Sequence, residues 1–256
     1  MKIGTWNVNS LRVRLPHVLR WLETNQPDVL ALQETKTEDR DFPVGEFERA
    51  GYHAVFAGQP TYNGVALLSR EPPEVIATAL PDFEDVQKRV LLARYGDLAV
   101  LDLYVPNGQS VDSDKYRYKL DWLAQLDLWA AQLLRDFPQL VMLGDFNIAP
   151  EDRDVHDPVA WQDQVLVSGP ERTAFRRLLD RGLRDSFRLH TDGGGHYSWW
   201  DYRAAAFRRN QGLRIDHILL SPALAARSAA TVIDREPRGW ERPSDHTPVT
   251  AELSGL

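Results

Sequence analysis

The 256 residues are 43% hydrophobic and 26% charged, a globular composition long enough for one large core or two small ones. No cysteine is present, which excludes a disulfide framework and any thiolate metal site. The formal net charge of -7 excludes a wholly basic nucleic-acid coat but leaves room for a local basic face.

The opening MKIGTWNVNS lacks the apolar core of a signal peptide, and no run nears the ~18 apolar residues of a membrane helix. A cytoplasmic protein without a membrane partner is expected. Ile3–Asn9 alternates loosely as a first strand and ends in Asn7-Val8-Asn9. Leu15, Val18, Leu19 and Leu22 then recur at helical spacing over Leu15–Thr24, with Pro16 in the first turn and Pro27 as the stop. Asp28–Gln33 reads as a second, buried strand, with Glu34 at its end. The charged stretch Thr37–Glu48 is expected to be exposed. Gly51–Ala57 and Val65–Ser69 are further strands around a Tyr62-Asn63-Gly64 turn. Pro72-Pro73 marks a loop. Val90–Arg94 and Leu98–Tyr104 form a hairpin that runs into Tyr104-Val105-Pro106-Asn107-Gly108. Asp114–Phe137 is a long amphipathic helix rich in Leu, Trp and Ala.

Leu140–Leu143 is a continuous apolar run between Pro138 and Pro150, which favours a short strand buried on both faces. Asp145 and Asn147 follow, and alternation turns them to one side. Beyond an irregular acidic stretch, Glu171–Arg181 is a helix capped by Gly182. The segment Tyr197–Tyr202, YSWWDY, packs four aromatics into six residues, with Arg203, Arg208, Arg209 and Arg214 around it. Ile215–Leu220 is another buried strand carrying Asp216. Pro248–Leu253 closes the chain, with Asp245-His246 just ahead of it. No linker or compositional break divides the sequence, so residues 1–256 read as one α/β domain with two sheets at its core.

Polar groups therefore collect at strand ends: Asn7, Glu34, Tyr104, Asp145 with Asn147, Asp216, and Asp245-His246. Each alone has a bland reading as a turn residue, a solvated strand end or a satisfied core group. Together they offer oxygen ligands for a hard cation, one imidazole, and amide and phenol donors. Carboxylates without thiolates suit Mg²⁺ or Mn²⁺, and no HExxH is present to suggest zinc. Cation, base and neutral donors together fit phosphoester hydrolysis. Of the 30 basic residues 25 are Arg, whose planar guanidinium suits bidentate phosphate contacts.

TWNVNSLRVR, PDVLALQETK, GVALLSR, YVPNG, GDFNIAP, YSWWDYR, GLRIDHILLS and PSDHTPV occur in this order. From Lys2 to about Leu253 the chain resembles the exonuclease III family of class II abasic-site endonucleases, within the endonuclease/exonuclease/phosphatase superfamily. The resemblance implies a four-layer α/β sandwich, two β-sheets packed face to face and flanked by helices, with the site at their shared edge. It implies Mg²⁺ (or Mn²⁺) held by Glu34, with Asn7 and Asp245 beside it. Asp145 would orient or deprotonate the attacking water, or protonate the leaving group. Asn147, Asn107 and Tyr104 would hold phosphate oxygens. His246, oriented by Asp216, would stabilise phosphate charge or act as base. Asn9 departs from the Asp of some members and leaves open a second metal position.

The substrate implied is duplex DNA with abasic sites or blocked 3′ ends. Incision 5′ to the lesion, 3′→5′ exonuclease activity and 3′-end trimming are expected from a monomer. Arg203, Arg208, Arg209 and Arg214 would contact backbone phosphates. Trp199, Trp200, Leu213 and Ile215 would line a pocket for the extruded sugar, unless the tryptophans are core. A phosphatase or phosphodiesterase acting on RNA, lipid or inositol phosphates, and a binding module without catalysis, are the alternatives.

Overall fold

The two apolar runs at 29–32 and 140–143 both become strands with neighbours on either side. The computed structural model describes residues 1–256. The first sheet begins with β1 (Lys2–Asn7), β2 (Val29–Gln33), β3 (His53–Ala57) and β4 (Val65–Ser69). The second sheet holds β5 (Glu74–Ala77), β6 (Val90–Tyr95), β7 (Leu98–Tyr104), β8 (Gln139–Asp145), β9 (Arg184–Asp185) and β10 (Asp216–Leu220). The chain returns to the first with β11 (Ser228–Ile233) and β12 (Val249–Leu253). Strand orders are β11-β12-β1-β2-β4-β3 and β5-β6-β7-β8-β10-β9. The helices are α1 (Leu11–Asn25), α2 (Val44–Arg49), α3 (Asp114–Asp136), α4 (Gly169–Asp180) and the short α5 (Pro222–Ala225).

Alternation along β8 explains its unbroken apolar run. Val141 and Leu143 point inward, meeting Ile3, Ala31, Val249 and Ala251 of the other sheet. Leu140 and Met142 point outward, against Trp122, Leu126 and Leu133 of α3 and Phe175 and Leu178 of α4. On the far side, Leu30 and Leu32 of β2 pack under Val18, Trp21 and Leu22 of α1 and Phe47 of α2. Both faces of each central strand are covered, so neither needs polar alternation. The result is the four-layer sandwich that was expected.

Topology places the strand ends. β1 and β2 are parallel, as are β7 and β8, so Asn7, Glu34, Tyr104 and Asp145 emerge along one edge. β10 runs antiparallel to β8 with Asp216 opposite Asp145, and β12 runs antiparallel to β1. Their starts, Asp216 and the Asp245-His246 pair, therefore reach the same edge. Gly144, just before Asp145 in β8, lets β7 approach closely: its φ is +137°, and a Cβ would stand 2.0 Å from the Leu103 carbonyl oxygen.

Several expectations differ in detail. Helix α1 starts at Leu11, so Pro16 is its sixth residue and lies beyond the first turn. The early start follows from backbone bonds of Ser10 and Leu11 to the Glu34 and Thr35 carbonyls, at 2.8 and 2.9 Å. The charged stretch 37–48 is not wholly exposed, because Phe42 and Phe47 turn into the core and nucleate α2. Strands β5 and β11 were not foreseen. Both are largely exposed edge strands with no continuous apolar face to read.

Candidate active site

Asp145, fully buried at the end of β8, is the centre of the cluster. Its Oδ1 accepts from the Asn147 backbone N–H at 2.9 Å. Its Oδ2 accepts from the Asn7 amide at 2.8 Å and lies 3.7 Å from His246 Nε2. Asn7 also donates to Glu34 Oε1 at 2.9 Å, and Lys36 Nζ pairs with Glu34 Oε2 at 3.0 Å. Glu34 has φ +50°, a left-handed turn immediately after β2 that swings its carboxylate toward Asp145.

His246 is clamped from behind. Its Nδ1 donates to both Asp216 oxygens, at 2.9 and 3.1 Å, and both side chains are buried. Burial alone would lower the imidazole pKa. Asp216 first, then Asp145 and Asp245, outweigh it and raise the value to about 10. His246 is therefore a cation at neutral pH, with Nε2 directed at Asp145. Asp145 moves the other way. Burial raises its pKa to about 7, with Asp216 and Glu34 adding to the rise while His246 and the Asn7 amide oppose it.

The neutral donors stand on one flank. Asn147, at φ +49°, donates from Nδ2 to the Val105 carbonyl at 3.0 Å and to Asp145 Oδ2 at 3.3 Å, and its Oδ1 accepts from Asn107 Nδ2 at 3.1 Å. Tyr104 lies under the Arg89 guanidinium, 4.6 Å from its ring centroid. Burial, then the negative charges of Glu34 and Asp145, push its hydroxyl pKa well above 10, so it remains a donor.

Glu34, Asp145 and His246 present ligand atoms within 4.8 Å of one another. Two carboxylates with no sulfur donor fit a hard divalent cation. Protonated, the imidazole offers no lone pair to a cation and leaves the two carboxylates as the oxygen donors of this group. The expected companions of Glu34 stand beside it. Asn7 turns its N–H groups to both carboxylates, and its Oδ1 accepts from the Asn9 N–H at 3.0 Å. Asp245 is occupied on both oxygens, Oδ1 by Asn9 Nδ2 and Oδ2 by Trp199 Nε1, each at 2.9 Å. Asn9 Oδ1 accepts from Lys36 Nζ at 2.6 Å. A residue that departs from the family pattern is thus saturated by its neighbours.

The aromatic-arginine stretch divides. Arg203, Arg208 and Arg209 are exposed, Arg203 being paired to Asp201 at 2.6 Å. Arg214 is not a phosphate contact. It is 1% exposed, and its guanidinium binds Asp154 at 2.7 Å, Asp185 at 2.8 Å and His217 Nδ1 at 3.0 Å. His217 stays neutral, its pKa lowered to about 4 by burial and the Arg214 charge, and donates from Nε2 to the Ile148 carbonyl at 2.9 Å. This network pins the acidic 151–155 loop to the start of β10. Trp200 and Leu213 are also inside, both 0% exposed, and Ile215 is 1% exposed. Of the proposed pocket residues only Trp199 keeps an exposed surface.

Sequence reasoning missed Lys36, two residues beyond Glu34, and Lys119 on α3. The second left a signal: it falls on the stripe Tyr116, Lys119, Trp122, Leu123, Leu126, whose other members are all buried.

Residues 4–246 match the endonuclease/exonuclease/phosphatase family. The chain is 40% identical to the exodeoxyribonuclease III of Haemophilus influenzae, over 99% of this chain and all of the relative. Among solved structures, a Neisseria 3′ phosphatase bound to a product DNA hairpin superposes with a TM-score of 0.97 at 48% identity. An AP endonuclease from Archaeoglobus fulgidus superposes at 0.96 with 40% identity. Each comparison covers 99% of both chains.

Proposed function

The chain belongs to the endonuclease/exonuclease/phosphatase family, and from that premise we propose that it is a DNA-repair phosphodiesterase acting as one catalytic domain. It takes duplex DNA with abasic sites or blocked 3′ ends, incising 5′ to the lesion and trimming 3′ termini by 3′→5′ exonuclease and phosphatase action. No helix is long and apolar enough to cross a membrane, and a cytoplasmic monomer is the reading that goes with this substrate. The observation that carries the proposal is the Asp216–His246–Asp145 line, with Glu34 and Asn147 on either side of Asp145.

The residues divide the work. Asp145 accepts a proton from water in its deprotonated form, which the adjacent His246 cation favours. His246 Nε2–H, Asn107 and Tyr104 would donate to the nonbridging phosphate oxygens as they gain charge, and each such donor typically contributes ~10²–10³ in rate. Asn147, expected to join them, spends its amide N–H groups on Val105 and Asp145 and braces Asn107 through its Oδ1. Glu34 and Asp145 would hold Mg²⁺, with Mn²⁺ as substitute, and that ion would neutralise charge on the phosphate and on the departing oxygen. Lys36 and Asn7 keep Glu34 aimed at it.

The test is incubation with an abasic-site duplex and with a 3′-phosphate primer, each with Mg²⁺ and with chelator. Cleavage of either DNA that stops with chelator is expected. Preference for RNA, lipid or inositol phosphates over both would overturn the reading.

Two expectations concern the DNA face. With Arg214 internal, three exposed arginines remain, so the log–log salt slope for duplex binding should be roughly -0.9 per contact and about -3 in total. Binding measured in Ca²⁺, with turnover suppressed, checks this, and a flat response would remove the basic face. Trp199→Ala should cost about 1–3 kcal/mol of transition-state binding on the abasic duplex and less on a small phosphodiester. Equal losses on the two substrates would make Trp199 a packing residue only.

A further inference from the structure

Behind the asparagines of the phosphate flank lies a buried ammonium group that no step above uses. Lys119 is 0% exposed on α3. Its Nζ donates to the backbone carbonyls of Asn147 at 2.6 Å and Asn107 at 3.1 Å, and it also meets Glu171 Oε1. Glu171 is equally buried. Its Oε1 accepts from the Leu166 N–H at 3.0 Å, and its Oε2 from the Ser168 N–H at 3.2 Å and hydroxyl at 2.6 Å, closing the capping box of α4. Three chain segments meet at one nitrogen: the turn after β7, the turn after β8 and the entry to α4.

Stability does not call for a charge here. A buried ion pair is matched or bettered by apolar side chains of the same volume, because both ions lose their hydration. An ammonium offers what they cannot, three directed donors on one atom. Two of those donors hold the peptide oxygens of Asn107, whose amide stands on the phosphate flank, and of Asn147, whose amide donates to Val105 at 3.0 Å and to Asp145 Oδ2 at 3.3 Å. Asn147 sits in a left-handed conformation, which a non-glycine residue keeps only when its surroundings hold it. Fixing its carbonyl fixes the direction of its amide, and through the 3.1 Å bond that of Asn107.

We propose that Lys119, held by Glu171, is a positioning residue that presets the Asn107 amide for the phosphate transition state, together with the Asn147 amide that braces Asn107 and Asp145. The inference rests on the phosphodiesterase reading. Breaking the pair from one side leaves a buried charge alone, so Lys119→Met should be both unstable and slow. The double variant Lys119→Met with Glu171→Gln removes both charges. It should regain most of the urea resistance yet keep a kcat loss of about 10–100-fold, since a misplacement of ~1 Å can cost that much. KM and half-saturation by Mg²⁺ should stay within about threefold. The double variant Lys119→Gln with Glu171→Gln, which also leaves no buried charge alone but lacks the three directed donors of the ammonium, supplies a second folded variant with the same expected kcat loss. Wild-type kcat in either folded variant would make the pair purely structural. A wild-type enzyme inert on every phosphoester would overturn the functional reading, and this inference with it.

Discussion

Asp216→Asn and His246→Asn should each lose about 10²-fold or more in kcat/KM, and the double variant little beyond the worse single. The reason is that one residue works only through the other. Asp216 donates nothing to the substrate. It holds Nδ1 at 2.9 and 3.1 Å and keeps the imidazole charged, so that Nε2 can serve as a cationic donor. Losing either partner removes the same donor. Circular dichroism and urea unfolding of each variant separate this from misfolding, and additive losses in a folded double variant would mean two independent contributions.

The same pair sets a pH dependence. The folded pKa of His246 is raised above its ordinary 6.5, so its contribution to stability is full below 6.5 and lost as pH rises towards about 10. Wild type and His246→Asn should therefore converge in thermal stability on the alkaline side. An alkaline fall in kcat/KM should be present in wild type and missing in the variant.

Glu34→Gln should raise the Mg²⁺ concentration needed for half-maximal activity by on the order of 10–100-fold or more, the range seen even for groups that only support a ligand. The substitution keeps shape and removes charge. Of the two carboxylates facing the cation position, Asp145 is fully buried and Glu34 partly exposed, so Glu34 can exchange water for metal most readily. Calorimetric titration of the metal without DNA gives the same comparison free of turnover. An unchanged Mg²⁺ dependence would exclude Glu34 as a ligand.

The central strands could be read directly from the amino acids. Val29–Leu32 and Leu140–Leu143 are apolar at every position because both of their faces are covered, and a two-sided core leaves that mark on any chain. The groups at their ends, Glu34 and Asp145, were legible for the same reason: a polar residue that closes such a run must lie at the edge of the sheet. Pairing of Asp216 with His246 was implied by the family resemblance, since nothing in the spacing of the two residues brings them together. In the structure they join through the two sheets, β10 beside β8 and β12 beside β1. Edge strands β5 and β11 left no such mark, since exposed strands carry no required apolar face.

The sequence by itself determined the two-sheet core, the polar edge and the family to which the motifs belong, because periodicity and motif order are local properties of the chain. Only the tertiary structure decided what each charge faces. Arg214 looks in the sequence like Arg203, Arg208 and Arg209, yet it is internal because Asp154 and Asp185 arrive from 60 and 29 positions away to neutralise it. Lys119 looks like a misplaced surface lysine until the carbonyls of Asn107 and Asn147 and the carboxylate of Glu171 are seen to converge on it. Asp245 is only an acid beside His246 in the sequence, and in the structure Asn9 and Trp199 are found donating to its two oxygens. A charged side chain is governed by its nearest partners in space, and those come from segments whose meeting is set by the packing of the whole chain.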